Sequence, residues 1–274
     1  MIELFNYTFF QNALMGALLV SILCGIVGAY IVVRRLVFIS GGITHASFGG
    51  LGLGFFLGWN PVLTASLFAI FSAFGVQWLS RREDVREDSA IAVFWSFGMA
   101  LGILFIFLTP GYMPGMTEFL FGNILTITRP DLAVYLALTV VASLFFLFFY
   151  RSILYIAFDS EFAKTQHLPV RFIEYSMMFF IALTIVLSIR LIGIVLLMSM
   201  LTVPQMTANL FTKSFSRMIF LSVVFAVLAS VAGLFLSYVM NVPSGALIIL
   251  VSITIYTVCK IAYSIHKRLN RQNQ

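Results

Sequence analysis

Long apolar stretches, separated by short polar or charged segments, make up almost the whole chain. A transmembrane helix needs about 20 apolar residues, because a rise of about 1.5 Å per residue must cross a hydrocarbon core of about 30 Å. Two stretches, 36–80 and 218–259, each predict two spans, because Asn60-Pro61 and segment 241–245 break them as turns. The stretches that predict single spans are 4–33, 89–117 and 132–150.

The remaining stretch, 175–212, is interrupted only by Arg190 and Gly193, and we expect two short spans there. With nine spans and the N-terminus outside, all of the 16 basic residues except Arg129 and Arg190 lie on the inner side, as the positive-inside tendency requires. The pattern therefore predicts an all-α polytopic membrane protein of about nine (eight to ten) transmembrane helices. Its N-terminus is expected outside and its C-terminus in the cytoplasm.

Composition excludes a water-soluble domain. Of the 274 residues, 61% are hydrophobic and 9% charged, against about 25% charged residues in soluble proteins. One transmembrane domain over 1–274 accounts for nearly all of them. The net charge of +6 does not indicate nucleic acid, because the basic residues lie at the ends of apolar stretches. Cys24 and Cys259 lie inside apolar stretches and are interpreted as core residues.

The second span is rich in glycine, which weakens an isolated helix by about 1 kcal/mol per residue. Small residues recur every four positions and predict a ridge on which another backbone can approach closely. This span is therefore expected inside the helix bundle. The ridge consists of Gly42, Ala46, Gly50, Gly54 and Gly58.

His45 lies beside this ridge and is a candidate metal ligand. An ionisable residue at membrane depth is costly and suggests function, and imidazole is a common ligand of zinc. The alternative is a neutral imidazole that bonds a neighbouring Ser, Thr or carbonyl to hold helices together. One histidine is not a metal site, but a two-fold homodimer would bring in a second His45, with Thr44 and Ser47 as the nearest further oxygens in sequence.

Two connections are longer than tight turns. The inner segment 151–172 contains a helix N-cap at Asp159, an acidic first turn at Glu161 and a proline stop, which predicts a short amphipathic cytoplasmic helix. Without further information it could be an ordinary interfacial helix. The external loop 109–130, which carries Glu118, could cover a pathway, bind a partner or only connect two spans.

Sequence motifs of several function classes are absent. The chain has no phosphate-binding G-x-x-x-x-G-K-[ST] motif, no H-E-x-x-H and no G-x-S-x-G. No Asp or Glu lies in the middle of a predicted span. These absences argue against ATP hydrolysis by this chain, an intramembrane enzyme and a proton-coupled carrier.

Three segments resemble the membrane permease of the zinc/manganese/iron family of ABC importers: 33–47 with its glycine-rich continuation, 119–125 and 193–208. The resemblance implies a type II ABC-importer-like permease in the bacterial plasma membrane, which acts as a homodimer by alternating access and is not itself an enzyme. It also implies cytoplasmic ABC ATPase subunits that bind ATP, an extracytoplasmic metal-binding protein, and no permanently bound cofactor.

The same resemblance assigns roles to individual residues. His45 corresponds to a family histidine that helps to coordinate the passing metal, and Glu118 lies in the expected docking surface for the binding protein. The segment 159–167 corresponds to the helix that couples the permease to its ATPase. Its assigned residues are Asp159, Glu161, Ala163 and His167.

Two positions depart from the family pattern. Gly41 replaces an aspartate that usually stands one turn before the histidine, and His167 replaces a common glycine. Loss of the carboxylate makes manganese less favoured than zinc, which is the expected cargo, although manganese and iron stay possible. The alternatives are a permease for a chelated substrate such as haem, cobalamin or a siderophore, and an ATP-independent channel or carrier.

Overall fold

A computed structural model describes residues 7–82, 85–110 and 127–272 of the chain. This part of the chain consists of helices and connecting turns and contains no strand. The helices are α1 (Thr8–Val33), α2 (Val37–Leu57), α3 (Pro61–Arg82), α4 (Glu87–Leu108), α5 (Arg129–Phe148), α6 (Tyr150–Phe158), α7 (Ser160–Thr165), α8 (Val170–Met200), α9 (Val203–Phe211), α10 (Phe215–Met240) and α11 (Ser244–Gln272).

The predicted all-α membrane fold is confirmed. Within the described ranges, seven helical segments are long and apolar enough to cross a membrane, and the continuous stretch from α8 to α9 forms one of them. The 21-residue α2 is not among the seven. Its glycines and His45 lower its mean hydropathy, although most of its side chains are buried against α3, α4 and α8.

Contacts between helix ends define two opposite ends of the bundle. At the first, which we call the Glu174 end, Arg34 and Arg81 both pair with Glu174. At the second, the Asp131 end, Arg190 pairs with Asp131 at 3.1 Å and shares a cavity lining with Asn60. Successive helices run alternately between these two ends.

The expected break in the 175–212 stretch lies at Gly193. A straight helix of 42 residues would be about 63 Å long, which is twice the thickness of a hydrocarbon core. Gly193 has φ 76° and ψ 168°, a conformation that is open only to glycine. The chain reverses direction at Gly193. Farther along, the Phe215 ring packs on Tyr150 of α6, and α6 lies at the Glu174 end, so the chain has returned to the end from which α8 started.

The segment 194–211, with α9, thus returns across the bundle as a second limb. Together with α1 to α5, the first limb of α8, α10 and α11, it brings the described helices to nine crossings. An odd number leaves Thr8 and the end of α11 at opposite ends of the bundle. Asn12 donates to the Ile127 carbonyl near the Asp131 end, and His266 lines a cavity with Lys213 at the other.

Helix α8 is the centre of the bundle, because it contacts α1, α2, α3, α5 and α11. In contrast, α4 and α11 lie at the periphery and have mostly exposed apolar faces. Such faces must be covered by lipid or by another apolar protein surface.

Candidate functional site

His45 is half-buried on α2 and stacks on Trp95 of α4. The ring centroids are 4.4 Å apart and the planes are inclined by 7°. Within the described part of the chain, the imidazole makes no hydrogen bond to protein, so neither ring nitrogen is engaged. The alternative role, in which His45 bonds a neighbouring hydroxyl or carbonyl, has no contact to support it here. The stack instead fixes the ring plane and leaves both nitrogens for a ligand.

Thr44 and Ser47 are fully buried, and both hydroxyls donate to the backbone of their own helix. Thr44 Oγ1 lies 2.6 Å from the Ser40 carbonyl oxygen, and Ser47 Oγ lies 2.6 Å from the Thr44 carbonyl oxygen. Residues one and two positions apart point to different sides of a helix. The structure therefore does not bring these hydroxyls to the imidazole of His45, and their role as ligands stays a prediction.

The position one turn before His45 is occupied by a neighbouring methionine. A Cβ on Gly41 would lie 3.2 Å from the Met198 terminal methyl carbon. The Ser40 hydroxyl lies 3.6 Å from Met198 Sδ and donates to it. A thioether sulfur thus stands where the family pattern places a carboxylate. The sequence did not single out Met198, because it lies on the return limb, far from α2 along the chain.

The predicted small-residue ridge packs against two helices rather than one. A Cβ on Gly42 would collide with Ile91 of α4, and a Cβ on Gly98 of α4 would lie 2.5 Å from Ala46 Cα. Gly50 and Gly54 instead meet the first turn of α3, around Pro61 and Thr64.

Gly58 requires a correction, because it does not belong to this packing ridge. Nothing lies within 4 Å of a Cβ built on it. Its φ of 68° makes it the left-handed residue that ends α2, a role for which glycine is favoured.

The described residues contain no group of three or more His, Cys, Asp or Glu side chains that could hold a metal ion. The described residues of one copy therefore do not form a complete metal site around His45. Transition metals need three or four donors for stable binding. The remaining donors must come from a second copy, from water or from sulfur.

The helix predicted in segment 151–172 is present as α7, and its ends follow from local chemistry. Asp159 Oδ1 accepts from the Phe162 amide at 2.9 Å, which caps the helix. Glu161 pairs with Lys164 at 2.5 Å on the exposed side, while Ala163 is fully buried. Their part in coupling stays a prediction.

His167 ends α7 in the left-handed conformation, with φ 56°. The His167 amide donates to the Lys164 carbonyl and the Leu168 amide donates to the Ala163 carbonyl. These two bonds form a Schellman motif, in which the left-handed position usually holds glycine. The departure from the family pattern therefore keeps the same helix end at a small conformational cost.

Glu118 and most of the external loop 109–130 lie outside the described residues, so its expected docking role is a prediction only.

A buried ion cluster at the Glu174 end was not predicted. Glu174 is 4% exposed and accepts from Arg34 Nη2 at 3.3 Å and Gln77 Nε2 at 3.1 Å. Arg81 contacts Glu174 Oε2, the oxygen that also accepts from Gln77, and Arg34 also donates to the Ile156 carbonyl. The cluster joins the ends of α1 and α3 to the start of α8 and to α6. Its only sequence signal was one acidic residue beside an apolar stretch.

Comparisons with known proteins agree on one family. The sequence model described as the ABC 3 transport family matches residues 6–263. The chain is 34% identical to the manganese transport system membrane protein MntC of Halalkalibacterium halodurans, over 93% of this chain and 87% of that one. It is 29% identical to a probable iron transport system membrane protein of Haemophilus influenzae, over 96% and 97%.

Among solved structures, the chain is similar to one in PsaBC from Streptococcus pneumoniae in complex with Fab. The TM-score is 0.83 at 32% identity, and the match covers 94% of this chain and 95% of the other.

Proposed function

The chain belongs to the ABC 3 transport family and is a permease subunit of a metal ABC importer. We propose that it transports a divalent transition metal ion, most favourably zinc, along a pathway at the interface between two copies of the chain. A subunit of this kind is a transport component and not an enzyme. The membrane is the bacterial plasma membrane, and the pathway opens alternately to its two sides.

One observation carries the proposal: among the described residues, both nitrogens of His45 are without a protein partner while its ring is held against Trp95. An imidazole that is positioned but unpaired is ready to bind a passing ion. Two-fold symmetry would place a second His45 across the pathway.

The donors near His45 favour zinc. Gly41 provides no carboxylate, and Met198 places a soft sulfur beside Ser40 and Gly41, whereas manganese prefers oxygen ligands. Manganese is the second candidate, because relatives at about a third identity are named for its transport.

The energy for transport comes from ATP bound to separate cytoplasmic subunits that contact α7. Glu161 and Lys164 are exposed there, and two large apolar side chains beside them, Phe158 and Phe162, are 63% and 47% exposed. An apolar centre with a charged rim suits a protein partner. ATPase closure would act through α7 on the neighbouring ends of α1, α3 and α8.

The Glu174 end faces the cytoplasm in this proposal, because most of the basic residues lie there. This orientation places the N-terminus outside and the C-terminus inside, and nine crossings are consistent with termini on opposite sides. The metal-binding protein then delivers the ion to the Asp131 end, where the loop with Glu118 emerges.

The test is uptake of zinc, manganese and iron, compared side by side in cells that lack the chromosomal copy of this chain. We expect His45→Ala to lower zinc uptake on the order of tenfold or more while the protein still assembles in the membrane. His266→Ala, in the last turns of α11, is the matched histidine control and should transport normally.

Unchanged uptake by His45→Ala would remove His45 from the pathway. If the unaltered chain carried manganese well and zinc poorly, the assignment of the ion would be wrong while the assignment of the permease would stand.

A further inference from the structure

A basic cavity of about 590 Å³ lies at the Glu174 end, between α1, α3, α7 and α8. Four basic side chains line it against two acidic ones, which leaves a surplus of two positive charges. The basic side chains are Arg34, Arg81, Lys164 and Arg171, and the acidic ones are Glu161 and Glu174.

The acidic side chains of the cavity are already engaged, and one arginine is left over. Glu174 holds Arg34 and Arg81, and Glu161 holds Lys164. Arg171 is exposed and has no acidic partner among the described residues. In addition, Arg34 Nε is buried and has no hydrogen-bond acceptor in the described structure. The cavity thus offers uncompensated charge to an anion, and one of the arginines that line it has an unpaired, buried donor.

An apolar groove of about 620 Å³ continues from the cavity along α8. Arg171 and Tyr175 line both spaces. The remaining wall of the groove is almost wholly aromatic and consists of Phe74, Phe145, Phe172, Ser176, Phe179 and Phe180.

We infer that the cavity and the groove together bind one anionic phospholipid, with its phosphate beside Arg171 and Arg34 and an acyl chain along the phenylalanines. The depth fits, because the cavity lies where α1 and α3 end and α8 begins. Trp78 and Tyr175 are of the type that occupies the membrane interface, and basic pockets between span ends are typical headgroup sites. A soluble phosphate would need the cavity but would leave the adjoining groove unexplained.

The inference does not depend on which ion the permease carries. The bound lipid would contact Lys164 of α7 and the Arg34–Glu174 pair at once. It would therefore stiffen the joint between the ATPase-facing helix and the ends of three spans.

Native mass spectrometry of the full-length chain tests the inference, with phosphatidylglycerol and phosphatidylcholine of identical acyl chains added in turn. We expect phosphatidylglycerol to be retained in preference. Arg171→Gln should lower that retention about fivefold, because one basic residue near the surface contributes that much to binding an anionic lipid. Arg171→Lys should keep most of it.

Arg151→Gln is the matched control, because Arg151 is exposed on α6 at the same end but does not line the cavity. Equal retention of both lipids, or equal loss in the Arg151 and Arg171 variants, would overturn the inference. If Arg171→Gln does not fold, Lys164→Gln is measured instead and should also lower retention.

Two further measurements distinguish a phospholipid from a free anion and from the ATPase as the occupant of the cavity. Millimolar inorganic phosphate should not displace the lipid, and displacement would show that the cavity takes a free anion. Retention is also measured in the complex with the ATPase subunits, where the lipid should stay bound. Expulsion of the lipid by the ATPase would assign the cavity to protein docking and overturn the inference.

Discussion

The His45 site and the Glu174 cluster treat an ionisable group in opposite ways. His45 lies in an uncharged, glycine-rich part of the bundle and has one aromatic neighbour and no hydrogen bond among the described residues. Glu174 is more deeply buried and is contacted by two arginines and a glutamine. An unpaired ionisable group is costly in an apolar interior, and only Glu174 has charged and polar partners that offset this cost.

The contrast separates a binding role from a structural role. A carboxylate that ties three helices together must be saturated, because a buried charge without partners destabilises the fold. A ligand for a transient ion needs its coordinating nitrogen free, since a hydrogen bond to that nitrogen would have to break before the ion binds. The uncompensated group is therefore the better candidate for the transport pathway.

Removal of Glu174 should have the largest effect on stability. Glu174→Ala leaves Arg34 and Arg81 without their carboxylate and should lower the free energy of unfolding by about 3 kcal/mol, the low end of the range for a broken buried pair. The low end applies because the two arginines are 25% and 29% exposed. Thermal unfolding in detergent, followed by tryptophan fluorescence, measures the loss.

Glu161→Ala is the control for Glu174→Ala, because the Glu161–Lys164 pair is exposed and should contribute less than about 1 kcal/mol. Equal losses in the two variants would contradict a structural role for the Glu174 cluster.

Restoring a carboxylate beside His45 should change the selectivity for the ion. Gly41→Asp displaces the flexible Met198 terminus and adds a hard oxygen ligand, so we expect the ratio of manganese to zinc uptake to rise roughly tenfold. Gly41→Asn, which has the same shape without the charge, should raise it less. An unchanged ratio in Gly41→Asp would show that this position does not face the ion.

The cap of α7 should contribute a smaller effect. Asp159→Ala removes the acceptor of the Phe162 amide and should cost about 1 kcal/mol of local helix stability, which lowers the amount of ATPase that co-purifies. Asp159→Asn keeps a capping oxygen and should retain the ATPase. If both variants lose it equally, the charge of Asp159 and not its cap is what the partner recognises.

The effect on stability at His45 itself should be small compared with that of Glu174→Ala. His45→Ala loses a single ring stack, so the free energy of unfolding should fall by only about 0.5–1.5 kcal/mol. The same thermal assay checks this value. A loss as large as that in Glu174→Ala would mean that His45 is structural, and the difference between the two sites would disappear.

Local patterns were sufficient to predict the spans and the short helix α7, although not the separate helices α6 and α9. Charge-free stretches located the spans, because lipid leaves a helix few alternatives. Gly193 marked the reversal of α8, and Asp159 marked the start of α7, because both act within a few residues of themselves along the chain.

Local patterns could not predict which residues meet at the Glu174 cluster and around His45. Arg34, Gln77 and Glu174 meet across 140 and 97 positions of sequence, and Trp95 and Met198 reach α2 from other helices. Such pairings depend on how helices rotate against one another, which the apolar pattern of a lipid-exposed helix constrains weakly. His45 was identified because its chemistry is rare at membrane depth, whereas Glu174 at a span end was not.

The reversal at Gly193 also has a consequence for biosynthesis. The return limb is interrupted near Leu201 and Thr202, and its Gln205 amide donates to the carbonyls of Cys24 and Met200. A limb whose buried Gln205 side chain finds an acceptor on α1 is poorly suited to enter the bilayer alone. We therefore expect it to leave the translocon as a hairpin with the first limb of α8, after α1 is already in place.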